Sequence, residues 1–81
     1  MIKMYAVELY SNKDDSFIEQ IDIYETESDA VDAIILFQKD PGFQNEVENC
    51  HFGMSCVECD EYYKEINSHR IEIDYSKSTI D

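Results

Sequence analysis

The sequence predicts an α+β fold: a three-stranded antiparallel or mixed sheet with one or two helices packed on one face, in the order β-β-α-(α)-β. Three features carry that expectation. Two runs with the two-residue apolar period of a strand, residues 2–11 and 17–25, flank a polar turn. A capped helical segment follows them. A third alternating run occupies residues 69–76. At 81 residues the chain is read as one domain, residues 1–81, with little interior to spare for a deep substrate pocket.

In the first run Tyr5, Val7 and Leu9 alternate on one face, and Ile2, Met4 and Ala6 on the other. Two partly apolar faces suit a central strand. Residues 12–16, Asn-Lys-Asp-Asp-Ser, are a turn of side chains that bond their own backbone. In the second run Phe17, Ile21 and Ile23 point one way, and Ile18, Gln20, Asp22 and Tyr24 the other, so the two runs form an antiparallel hairpin. Glu19 falls on the apolar side and marks a bulge or an edge position.

Thr26 is a good N-cap, with Glu27 and Asp29 in the first turn, where the helix dipole favours negative charge. Ala30, Val31, Ile34, Ile35 and Phe37 give that helix a broad apolar stripe. It runs to about Lys39, before Pro41-Gly42. For residues 43–67 the helical spacing of Phe43, Val47 and Cys50, and of Cys56, Cys59, Tyr63 and Ile66, predicts one or two short helices broken near Gly53. In the last run Ile71, Ile73 and Tyr75 face in, while Arg70, Glu72 and Asp74 face out.

The charge is lopsided. Nineteen acids against six bases give a net charge of −13, beyond the magnitude of about 2–8 that solubility alone asks of a small domain. Between Asp14 and Gln38 there are eight acids and no Lys or Arg. Clustered carboxylates repel one another and destabilise the compact state, which motivates a functional reading. Nucleic acid and anionic membranes repel such a surface, whereas a basic groove attracts it. The expected contact residues are Asp14, Asp15, Asp22, Tyr24, Glu25, Glu27, Asp29 and Asp32. Tyr10 and Tyr24, on the more polar strand faces, are candidate aromatic anchors among those acids.

All three cysteines and both histidines lie within residues 50–69. Cys56-x-x-Cys59 has the spacing of a zinc knuckle, which Cys50 and His69 or His51 would complete. The competing reading is buried free thiols on a helix face, favoured because no Gly or Pro shapes a knuckle turn. No cofactor other than zinc is suggested. An enzyme is not expected: no nucleophile motif is visible, and with only Gly42 and Gly53 no phosphate-cradling loop can form. No run of 18 apolar residues crosses a membrane, and the start of the chain does not read as a signal peptide, so a cytoplasmic location is expected.

In size and charge the chain is similar to the small acidic inhibitors encoded by phages and mobile elements, such as anti-CRISPR and anti-restriction proteins, and to immunity proteins that neutralise nuclease toxins. That resemblance implies a non-enzymatic inhibitor, a possible DNA mimic, whose partner is a basic protein such as a nuclease or a nucleic-acid-binding effector. An immunity or antitoxin-like protein is the alternative, and a small zinc-stabilised interaction domain is a third.

Overall fold

The computed structural model describes residues 1–80. Four strands, β1 (Ile2–Ser11), β2 (Phe17–Tyr24), β3 (Cys50–Cys59) and β4 (Glu65–Ile71), form one sheet in the order β2-β1-β3-β4. Every neighbouring pair is antiparallel. Two helices, α1 (Glu27–Gln38) and α2 (Pro41–Glu46), connect the β1–β2 hairpin to the β3–β4 hairpin. A 3-10 turn (Tyr75–Lys77) follows β4. No helix among the described residues is long and apolar enough to cross a membrane.

β1 is central because it is apolar on both sides. Val7 faces the helix layer and Ala6 faces away from it, and both are fully buried. Over Val7 and Met54, α1 packs Ala30, Val31 and Ile34, flanked by Tyr5, Ile21, Tyr24, Phe52, Ile71 and Ile73. Burying a side chain the size of Ile34 contributes about 2–3 kcal/mol. Thr26 caps α1 as expected, its hydroxyl accepting from the Asp29 N–H at 3.1 Å. Asp40 caps α2 through the N–H groups of Gly42 and Phe43, with Pro41 in the first helical position. Phe43 of α2 stacks on Phe37 and Phe52 and closes that end of the core.

β2 lies at an edge and is bulged twice, opposite Val7/Glu8 and opposite Leu9/Tyr10. The bulges break the simple alternation read from the sequence. Ile21 turns into the helix-covered core, while Phe17 pairs with Tyr10, and Ile23 with Ala6, on the other face. The bulge beside Glu19 is the one its misplaced charge indicated.

Residues 43–67 depart most from expectation. Only 41–46 are helical; 50–59 are the second central strand and 60–64 a turn. β3 is buried on both faces, by Met54 and Cys56 toward the helices and by Ser55, Val57 and Cys59 away from them. Such a strand has no polar side, so its apolar spacing is indistinguishable from that of a buried helix. The sheet therefore has four strands rather than three. The last strand is also earlier than the alternation implied: it covers Glu65–Ile71, after which Ile73 packs on the core and half-exposed Tyr75 accepts from Gln38 Nε2 at 3.2 Å.

Candidate functional site

The face of the sheet away from the helices carries a polar cluster built from residues far apart in sequence. Gly53 provides its floor. Cross-strand from Glu8 on β1, it lies under the ring of Tyr10, and a Cβ there would come within 2.3 Å of Tyr10 Cε2. A glycine inside a strand marks such a close approach. The Arg70 guanidinium stacks on Tyr10, 3.7 Å from the ring centroid. Its Nη1 donates to Asp15 Oδ2 at 2.7 Å. The other Asp15 oxygen meets His51 Nε2 at 2.6 Å, and His51 Nδ1 meets Asn12 Oδ1 at 2.6 Å. Beneath, the Tyr10 hydroxyl (2.9 Å) and Ser55 Oγ (2.5 Å) both donate to Glu8 Oε1.

The electrostatics follow the geometry. Arg70, then His51, hold the Asp15 carboxyl below the usual carboxylate range, and Asp15 in turn raises Arg70. Burial, then Glu8, pushes the Tyr10 hydroxyl up. Asp15 sits at φ 58°, a left-handed conformation that Asp tolerates better than most residues. His51 bonds neither a hydroxyl nor a thiol among the described residues, and the Ser55 hydroxyl is committed to Glu8. The cluster ties the β1–β2 turn to β3 and β4.

The eight carboxylate and tyrosine positions expected to form one contact surface separate into two sets. Asp14, Asp15 and Asp32 are bound into the fold. Ser16 bonds Asp14 and lowers its carboxyl. Asp32 accepts from the Thr79 N–H at 2.8 Å, from the Thr79 hydroxyl, and from Ser78 Oγ at 2.7 Å. Thr79, then Ser78, holds its carboxyl low, so Asp32 anchors residues 78–79 to α1. Asp22, Tyr24, Glu25, Glu27 and Asp29 gather at the end of β2 and the start of α1. Tyr24 is half-buried against the core, and its hydroxyl is pushed up by burial, then by Asp22, with a smaller push from Asp29. The β2 strand, about 25 Å long, separates this group from Asp14 and Asp15.

Only two ion pairs form among the described residues, and both end on Asp15. Glu19, Asp22, Glu25, Glu27 and Asp29 therefore line the outer strand and the helix start with no cation against them.

Tyr10, a candidate anchor from its place on the more polar strand face, is only 7% exposed, covered by Arg70 and Phe17. The exposed tyrosines are instead Tyr75 after β4 and, more fully, Tyr62 and Tyr63 in the β3–β4 hairpin turn. In that turn Asp60 Oδ1 accepts from the N–H groups of Tyr62 and Lys64, and Tyr63 adopts φ 62°.

The structure does not bring Cys50, Cys56, Cys59 and His69 together as zinc ligands. On a strand, residues three apart face opposite ways. Cys56 pairs with Tyr5 on the helix-covered face, and Cys59 with Ile2 on the open one. Cys50 is about 20 Å along β3 from Cys56. His69 lies opposite Cys56 alone. No group of three or more His, Cys, Asp or Glu among the described residues is placed to hold a metal ion, and all three thiols are free.

Arg70, Glu8 and Ser55 carry no mark of a site in the sequence, because their partners lie on other strands or in the β1–β2 turn. Gly53 alone left a signal, as a glycine between apolar residues. No protein-family model, curated protein or solved structure matches the chain.

Proposed function

We propose that the protein is a non-enzymatic inhibitor that docks the outer edge of β2 and the start of α1 onto a basic protein surface of the kind that holds nucleic acid. The targets this reading favours are nucleases and CRISPR- or restriction-type effectors. The observation that supports it is the row Glu19, Asp22, Glu25, Glu27 and Asp29, which no Lys or Arg neutralises. Uncompensated charge of one sign steers association with an oppositely charged groove and rejects nucleic acid and anionic membranes.

Glu19 and Asp22, opposite Leu9 and Val7 across a bulge, lie about 7 Å apart along β2, and Glu25 follows just past the end of the strand. One strand of duplex DNA carries a charge every ~3.4 Å. The row is sparser than a nucleic-acid backbone, so the reading rests on charge complementarity more than on a replica of the DNA outline. The three free thiols suit a reducing cytoplasm, where we place the activity. An immunity protein covering a toxin would use the same row and differ only in its partner.

Immobilised wild-type protein and a D22K/E25K/D29K variant, exposed to the same cell lysate, test the reading. Nucleic-acid-binding proteins should be retained by the wild type, released by added duplex DNA, and absent from the variant. Capture of the same proteins by both, or failure of duplex to displace them, contradicts it. Asp32 is left intact in this variant because it holds residues 78–79.

A further inference from the structure

The sheet has a second free edge, on the far side from the acidic row. The Asn12 N–H donates to the Asn49 carbonyl at 2.9 Å, and Ser11 pairs with Cys50. In an antiparallel ladder the bonded pairs recur every second residue. His51 and Gly53 therefore turn their main-chain groups toward β1, and Phe52 and Met54 turn theirs toward β4. Met54 is opposite Ile71, the last residue of β4. Beyond it the chain leaves the sheet, and the Phe52 N–H and C=O have no partner among the described residues. Beside this gap is a cleft of about 450 Å³ lined by Phe52, Gly53, Arg70, Ile71, Glu72 and Ile73. Its apolar wall is Phe52, Ile71 and Ile73. Arg70 is committed to Asp15, which leaves exposed Glu72 as the uncommitted charge at the rim.

We propose that an extended cationic peptide segment adds to the edge of β3 in line with β4, bonding the Phe52 main chain and seating one apolar side chain in this cleft. Unpaired strand groups select an extended main chain, the form of recognition in which backbone bonds give affinity and side-chain pockets give specificity. An antiparallel segment would exchange two bonds with Phe52 and give an N–H to the Cys50 carbonyl, which the ladder also turns outward. Phe52 itself is held by stacking on Phe37 and Phe43, so the receiving edge is already in place. Glu72 and the net charge of −13 select a basic residue flanking the apolar one. This site is independent of the acidic row on β2.

The test is a titration of the ¹⁵N-labelled protein with the capped peptide acetyl-Lys-Val-Ile-Val-Lys-amide. Saturable amide shifts are expected at Phe52, Gly53, Ile71 and Glu72, with slowed hydrogen exchange at the Phe52 N–H. The same peptide N-methylated on its central residue should not bind, E72Q should bind severalfold more weakly, and D22K/E25K/D29K should keep the Phe52 response. Shifts confined to the acidic row, an unprotected Phe52 amide, or equal binding of the N-methylated peptide would overturn the proposal. Equal binding of a peptide with Glu in place of both Lys would overturn its cationic part.

Discussion

β2 is bulged twice and displays Glu19 and Asp22 with no cation against them, whereas at the opposite edge β4 stops short and leaves part of β3 without a neighbour. Bulges and charge are ways of blunting an edge against unwanted strand pairing. The β2 edge uses both, so what remains available there is electrostatic. The β3 edge keeps free main-chain groups beside apolar walls, so what remains there is strand pairing. The carboxylates divide in the same way: Asp15 and Asp32 are held by bonds across the fold, while Asp22, Glu25 and Asp29 are held by nothing that bears a positive charge.

The largest loss of stability is expected at Gly53, in the cluster that lies between the two edges. A side chain there forces Tyr10 off its place between the sheet and Arg70, so Gly53→Val should cost about 2–3 kcal/mol by overpacking, read as a lower urea midpoint. Next in size is Arg70→Ala, which removes the stack on Tyr10 and should cost about 1 kcal/mol. It should also release the β1–β2 turn, seen as faster hydrogen exchange at Asp15 and Ser16.

The two classes of carboxylate should separate by pH. The Asp15 and Asp32 carboxyls are lowered in the folded chain. Their contribution to stability is therefore present above the unfolded value of about 3.9 and is lost as pH falls through the folded values. D15N and D32N should lower the urea midpoint at pH 7 and flatten its further decline below about pH 4. The smallest effect is expected from D22N/E25Q, which leaves the first turn of α1 intact. Relief of repulsion should raise the midpoint slightly at low salt, and the gain should vanish as salt screens the wild type.

The first half of the chain was readable because its order is local. Alternation places β1, the Asn12–Ser16 segment folds on its own side chains, and Thr26 caps α1 three residues away. β3 hid its strand character because Cys56 and Val57 are buried on opposite faces, which leaves no polar period to read. The acids could be counted, but which were already bound could not. The Arg70–Asp15 bond spans 55 residues and the Ser78–Asp32 bond 46. A zinc knuckle and a buried strand likewise share the same Cys spacing until the direction of each side chain is known.

The account turns on the unpaired carboxylates of β2 and α1. The measurement that tests it most directly is the affinity of the wild type and of D22K/E25K/D29K for one purified nucleic-acid-binding partner at low and high salt. Wild-type affinity should fall steeply with salt, and the variant should bind at least about tenfold more weakly at low salt. Equal affinities that are insensitive to salt would contradict the account.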